Sequence, residues 1–368
     1  MALLDTIFKQ AVEMKASDVH VTPGEPFIVR QCGCLRKLNG EALAAEKCRE
    51  LILEILDQQQ QERFAEDLQL DFAYAIPELG RFRGSALMHR DGVGASFRII
   101  PPRIPALEAL GLPEVVRKVL DNHQGLILVT GATGHGKSTT LAAMIDYINE
   151  NRPHHILTIE DPIEFIHPLK KGVVNQRQLG ADTLSYANAL RGALREDPDV
   201  IMIGELRDLE TISLAISAAE TGHLVIGTLS TSTAPKTVDR IIDSYPPEEQ
   251  NQIRAMLSES LRAVLTQKLI PRVDGNGMAL AVEVLICTLP MANLMRDGKT
   301  FQIPSMMQTG KGVGMQTMDD ALMALLKAAT ISARDAYMYA QSKQAFKPLY
   351  DREIKNAAGP LMTSGFNV

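Results

Sequence analysis

Along the first hundred residues the apolar positions change period several times. Leu3, Leu4, Ile7, Phe8 and Val12 recur at helical spacing and predict an amphipathic helix over residues 3–14. In ASDVHVTPGEPFIVRQCGCLRKL the pattern becomes strand-like, with Val19 and Val21, then residues 27–30 and 34–38, around a Pro-Gly turn. CRELILEILDQQQQ returns to a helix over about residues 45–57, and Gln58 to Gln61 read as its solvated end. From Leu70 the chain alternates again: Phe82, Ala86 and Met88 on one face, Arg81, Arg83 and Ser85 on the other, with Asp91 to Gly94 as the turn. Pro101, Pro102 and Pro105 then mark a stiff linker over 101–112.

Beyond it, apolar strand candidates at 125–130, 155–160, 200–204 and 223–228 alternate with helical stretches at 137–150, 185–196 and 208–220, the βαβ order of a parallel sheet. PPEEQNQIRAMLSESLRAVLTQKLI predicts one long helix between Pro247 and Pro271. A hairpin-like stretch over 272–287 and three short helices follow. Met256, Met318 and Met323 fall at core-facing helical positions and read as core filler. The pattern thus divides the chain into an N-terminal domain (1–100), the linker, a second domain with C-terminal helices (113–342) and a weakly ordered tail (343–368).

Composition narrows the setting. The formal charge is −6 over 368 residues and neither half is basic, which argues against a nucleic-acid or anionic-lipid surface. Cys32, Cys34, Cys48 and Cys287 lack the paired C-x-x-C spacing of a zinc site, so a reducing cytosol is expected. No apolar run reaches membrane-span length, and MALLDTIFKQ lacks the basic start and apolar core of a signal peptide.

The chemistry concentrates in GLILVTGATGHGKSTT. A β-branched apolar run ends in Gly131, Ala132, Thr133, Gly134, His135, Gly136, Lys137, Ser138 and Thr139, and a helix follows. This G-x-x-x-x-G-K-S loop points backbone N–H groups at phosphate oxygens, Lys137 reaches the terminal phosphates, and Ser138 can ligate Mg²⁺. Hydrolysis also needs carboxylates to hold the metal's water shell and to orient the attacking water. ILTIEDPIEF ends a strand on Glu160 and Asp161, with Glu164 in the next turn, and DVIMIGELRD ends another on Glu205. In an open parallel sheet ligands sit beyond the carboxyl ends of the strands, so both clusters are expected to face the loop. His223 opens the next strand, although a lone histidine is more often structural. Arg81, Arg83 and Arg98 stand close together beside the proline hinge, where they could reach phosphates in trans.

These stretches resemble the bacterial type IV pilus retraction ATPases of the PilT/PilU kind, within the type II/IV secretion ATPase superfamily. SDVHVTPGEPFIVR is similar to the family's N-terminal signature, GATGHGKSTT to its Walker A, TIEDPIEF to its Asp box and VIMIGELRD to its Walker B segment. AAETGHLVIGTL resembles the first part of the His box, and MANLMRDGK with QTGKGVGMQTMDDAL the retraction-specific ends. The resemblance implies an α/β protein: a PAS-like N-terminal α+β domain, then a RecA-like P-loop NTPase domain with a helical C-terminal region. It further implies a homohexameric ATP hydrolase driving twitching motility. The protein is expected in the cytoplasm, docked on an inner-membrane pilus platform protein, with a second retraction ATPase as a possible companion. Glu205 matches the Walker B glutamate, Glu164 with Glu160 and Asp161 the Asp-box carboxylates, His223 a His-box histidine, and Arg83 and Arg98 the trans arginines, Arg81 less closely. In GTLSTSTA, Ser230 stands where the family usually has a second histidine, and a serine cannot hold charge or shuttle a proton near neutral pH. His135 occupies a variable position of the loop, where a small effect is expected. The tail and the GATG-type loop lean toward a PilU-like accessory ring with weak ATPase activity. A pilus-extension or type II secretion ATPase is the other alternative, disfavoured by the absence of a C-x-x-C insertion.

Overall fold

The computed structural model describes residues 3–31 and 33–357. The N-terminal part comprises α1 (Leu3–Glu13), β1 (Asp18–Val21), β2 (Ile28–Gln31), β3 (Cys34–Lys37), α2 (Ala45–Glu54), α3 (Gln58–Asp67), β4 (Gln69–Ile76), β5 (Gly80–His89) and β6 (Gly92–Ile100). Its strands form an antiparallel sheet in the order β3-β2-β1-β6-β5-β4. Alternation along β5 sends Phe82 and Ala86 into a core with Phe8, Phe97 and Leu51, where Phe8 stacks on Phe82 at 4.3 Å between ring centroids. Gly84 is glycine for want of space: a Cβ there would lie 2.5 Å from the Phe72 ring. The opposite face carries a row of directly opposed residues, Arg30, Asp18, Arg98 and Arg83. The glutamine run is not the end of α2. Asp57 accepts from the Gln60 backbone N–H while the Gln60 side chain accepts from the Asp57 N–H, a capping box that starts α3 as a new helix.

The second part contains α4 (Val115–Leu120), β7 (Gly125–Thr130), α5 (Lys137–Asn151), β8 (His155–Glu160), β9 (Val173–Gln178), α6 (Tyr186–Ala193), β10 (Val200–Ile203), α7 (Leu209–Glu220), β11 (Leu224–Leu229), α8 (Ala234–Ile242), α9 (Gln250–Ser260), β12 (Leu261–Pro271) and β13 (Met278–Ile286). Its sheet runs β13-β12-β7-β11-β10-β8-β9, parallel throughout except for the β12–β13 pair. Helices cover both faces, so every residue of β7, β10 and β11 is buried. Along β7, Leu126 and Leu128 enter the core with α6 and α7, whereas Ile127 and Val129 enter the core with α4 and α5. The linker is anchored to this second core: Leu107 is buried with α4 and α5, and Ile104 packs beside it.

The long helix expected between Pro247 and Pro271 stops at Ser260, and Leu261–Pro271 is a strand beside β7. ESLRAVLTQKLI contains few β-branched residues and suits a helix locally. Pairing with β7 on one edge and β13 on the other overrides that preference. β9, which lacks a strong apolar run, was not foreseen.

The chain closes with α10 (Leu289–Arg296), α11 (Ile303–Thr309), α12 (Met318–Lys327), α13 (Ala333–Tyr339) and α14 (Lys343–Ala357). The expected loss of order from Lys343 is corrected over 343–357. Phe346 is fully buried beside Leu322 and Ala336, Tyr350 stacks on Tyr337, and Glu353 accepts from the Ala333 and Arg334 N–H groups at the start of α13. Residues 358–368 and Cys32 lie outside the described residues. Cys34, Cys48 and Cys287 are free thiols. Among the described residues no helix is long and apolar enough to cross a membrane.

Phe346 is the anchor of α14. Truncating a fully buried phenylalanine costs about 3–5 kcal/mol, more than one exposed helix retains on its own. Phe346→Ala is therefore expected to raise amide hydrogen exchange across 343–357 while leaving residues 125–140 protected. Unchanged exchange in α14 would contradict this docking.

Candidate functional site

The glycine loop leaves β7 and enters α5 with Gly131, Gly134 and Gly136 all at positive φ. A Cβ on Gly131 would lie 2.6 Å from the Gln267 carbonyl oxygen, so the loop touches β12 backbone to backbone. Three side-chain bonds hold the same seam. Thr130 and Thr266 hydroxyls meet at 2.9 Å, Gln267 Nε2 donates to Thr140 Oγ1 at 2.7 Å, and the Leu269 N–H donates to His135 Nδ1 at 2.8 Å. A backbone N–H only donates, so His135 carries its proton on Nε2. Burial lowers the His135 pKa, and the charges of Lys137 and Lys268 lower it further. The small effect expected at this variable position gives way to a structural role, invisible while β12 was read as helix.

Lys137 donates to the Gly131 and Ala132 carbonyls at 2.8 and 3.1 Å. Ser138 is exposed in the first turn of α5, at the positive end of a fifteen-residue helix. Beyond β10, Glu205 Oε2 accepts from Arg207 Nε at 2.7 Å and Oε1 from Ser230 Oγ at 3.0 Å. Burial pushes the Glu205 carboxyl up, but the bonds from Arg207 and Ser230 and the charges of Arg207 and Lys137 outweigh it, so its pKa lies below the ordinary value. Ser230 thus replaces a titratable group with a fixed hydrogen bond. Arg207 escaped the sequence reading although it lies two residues beyond Glu205.

The Asp-box carboxylates diverge. Glu160 accepts from Thr158 Oγ1 at 2.8 Å and Gln176 Nε2 at 3.1 Å, yet burial raises its pKa. Glu164 pairs with Arg83 at 3.4 Å. Asp161 lines the cleft under the N-terminal sheet with Arg63, Asp71, Ser85 and Leu184. Buried Tyr186, also missed, stands where the charges of Asp161, Arg207, Glu205 and Glu160 converge, and burial with those carboxylates raises its pKa. Its hydroxyl would be 3.1 Å from a Cβ on Gly204, which explains the glycine before Glu205.

His223 and the three arginines take the following places. His223 lies immediately before β11, whose register pairs Leu224 with Gly125 and Leu229 with Thr130. The loop is therefore roughly 16 Å or more away at about 3.3 Å per residue. The His223 ring bonds the Ala218 carbonyl at 3.0 Å and pins the α7–β11 corner. Within one chain His223 is therefore remote from the loop, at the strand start where the sequence placed it. The arginines have partners within the chain: Arg81 donates to the Ile163 carbonyl at 3.0 Å, Arg83 reaches Glu164, and Arg98 binds Asp18 at 3.1 Å.

A largely parallel sheet with a glycine loop after an interior strand, β7, and a glutamate favoured in its ionised form beyond β10, two strands along, defines a P-loop ATPase with a RecA-like core. The family model described as "Type II/IV secretion system protein" matches residues 1–322. The chain belongs to that family and is an ATP hydrolase. It is 49% identical over 331 residues to the Type IV pilus retractation ATPase PilT of Pseudomonas aeruginosa, covering 90% of this chain and 96% of the relative. The Type IV pilus ATPase PilU of the same organism is 40% identical over 338 residues, covering 92% and 88%. The crystal structure of the pilus retraction motor PilT with bound ADP matches at a TM-score of 0.84 with 44% identity, over 95% of this chain and 99% of that one.

The neutral His135 ring gives a pH signature. Its folded-state pKa lies below the ordinary 6.5, so its contribution to stability is whole above that value and drains away as pH falls toward the folded pKa. His135→Asn supplies an acceptor at the Nδ1 position without titrating. Its thermal midpoint should fall less than the wild type's between about pH 8 and pH 5. His135→Ala, losing one net hydrogen bond, should lose about 0.5–1.5 kcal/mol at neutral pH. Parallel acid profiles for wild type and His135→Asn would contradict the tautomer.

Proposed function

We propose that this chain is the ATPase motor of type IV pilus retraction, working as a homohexamer at the cytoplasmic face of the inner membrane on a pilus platform protein. The observation that carries the chemistry is Glu205, held ionised between Ser230 and Arg207 within electrostatic reach of Lys137. The likeness to PilT over nearly the whole chain supports the biological assignment.

ATP phosphates would take the cradle of residues 131–139, with the Lys137 ammonium exchanging loop carbonyls for phosphate oxygens. The Ser138 hydroxyl, in the first turn of α5, is an oxygen ligand of the kind that would hold Mg²⁺, a hard cation that neutralises phosphate charge when bound. A carboxylate with a depressed pKa is a weak base, so Glu205 orients the attacking water more than it deprotonates it. Glu160, whose pKa burial raises, is held by Thr158 and Gln176 and is assigned no direct part in the reaction. We place the domain boundary at 101–112 and assign Arg83 and Arg98, opposed on β5 and β6, to the phosphates of a neighbouring subunit, with Arg81 bracing the Asp box. An accessory PilU-like ring is the second reading, favoured by Ser230.

Glu205→Gln should keep ATP binding and lower turnover by at least ~10²-fold, whereas Lys137→Ala should lose binding as well. Phosphate release near the wild-type rate from Glu205→Gln would refute the catalytic assignment. Arg83→Ala and Arg98→Ala should each cost on the order of 10³ in turnover. Rings mixed from Arg83→Ala and Lys137→Ala subunits should regain activity, and mixtures as inactive as either parent would place the arginine's target in its own chain.

A further inference from the structure

The mechanism above makes no use of Glu283, a carboxylate on β13 that is only 3% exposed. Four elements converge on it. Oε1 accepts from the Ala234 N–H at 2.7 Å, at the first residue of α8. Oε2 accepts from Gln341 Nε2 at 2.9 Å, and the Met318 backbone N–H at the start of α12 lies near enough to favour the charged form. Lys268, on the neighbouring strand, lies near enough to act on it by charge, and its own ammonium donates to the Tyr339 carbonyl at 2.9 Å. Burying a carboxylate is expensive unless each oxygen is bonded, and here both are.

The two-residue period of β12 explains the placement. Gln267 and Leu269 turn toward the glycine loop, whereas Thr266 and Lys268 turn the other way, and Glu283 is the register partner of Thr266. One face of the hairpin therefore meets the phosphate cradle, and the other meets the C-terminal helices and α8. Ala234 lies four residues after Ser230, and Thr231 within that short loop bonds Thr237 at 2.7 Å. Fixing the start of α8 fixes where Ser230 emerges from β11, and hence its bond to Glu205.

We propose that Glu283 is a positioning residue for ATP hydrolysis, holding the start of α8 and, through it, the Ser230 hydroxyl against Glu205, so that turnover depends on the docked C-terminal helices. This rests on the catalytic reading of Glu205.

The test is a double-mutant cycle in the full-length protein, with kcat and KM for Mg-ATP measured for wild type, Glu283→Gln, Ser230→Ala and the double variant. Glu283→Gln is expected to lower kcat about 3–10-fold, the size of one misplaced hydrogen bond, with KM changed less than about twofold. In the Ser230→Ala background the same substitution should change kcat less than about twofold, because its route of action is already gone. A purely structural role lowers kcat by the same factor in both backgrounds, and that result overturns the proposal. So does an effect confined to KM, or wild-type kcat in Glu283→Gln. If Glu283→Gln does not fold, Gln341→Ala keeps the carboxylate and removes only the Oε2 partner. It should give the same non-additive split at smaller size, and additive losses there overturn the proposal equally. Glu205→Gln run alongside separates the two failures. Near wild-type turnover in it sinks the underlying reading, while additive losses beside an inactive Glu205→Gln sink this inference alone.

Discussion

The site depends on the seam where β7 and its glycine loop lie against β12. A loop of glycines has little intrinsic rigidity, yet it must present N–H groups to phosphate oxygens without rearranging during the reaction. The backbone of Gly131 therefore rests on the Gln267 carbonyl, with the Thr130–Thr266, Gln267–Thr140 and Leu269–His135 bonds beside it. These contacts replace the stiffness that side chains within the loop would otherwise supply. They also make the loop's conformation a property of β12, a strand well over a hundred residues further along the chain.

Electrostatics then separates carboxylates of one residue type. Glu205 faces cations and hydrogen-bond donors at the loop and stays ionised. Glu160 sits deeper, where burial prevails over the bonds from Thr158 and Gln176. Glu164 is committed to Arg83. The acidic clusters are therefore a graded set, in which Glu205 is favoured in its charged form, burial works against the charge on Glu160, and Glu164 is paired with an arginine.

The N-terminal sheet is two-sided for an equally physical reason. Its aromatic face is saturated by α1 and α2, leaving the opposite face for a charged row that ends on Arg83 and reaches the Asp box. Charges standing opposite one another in an antiparallel sheet are stable only when signs alternate or a partner lies across the gap. Asp18 meets that need for Arg30 and Arg98, and Glu164 of the second domain meets it for Arg83. Contact between the domains is thus partly ionic and offset by solvation.

Much of this was legible from residue order. Strands at 125–130, 155–160 and, to within a residue, 200–204, the glycine loop, and Glu205 at a strand's carboxyl end all follow from local patterns, because a buried parallel strand is a continuous apolar run and a phosphate loop needs glycines at set offsets. The first strand of the second domain, its loop and the following helix are neighbours in sequence, so sequence alone determined them, and with them the nucleotide chemistry. Pairing across long separations was decided only in three dimensions. Residues 261–271 become a strand because β7 and β13 satisfy their backbone on both edges, against a local preference for helix. The same folding gives His135 a partner at Leu269 and brings Ser230 to Glu205. A spacing rule reports which residues are adjacent along the chain; hydrogen-bond register and burial, which set where the others meet, exist only once the sheet is assembled.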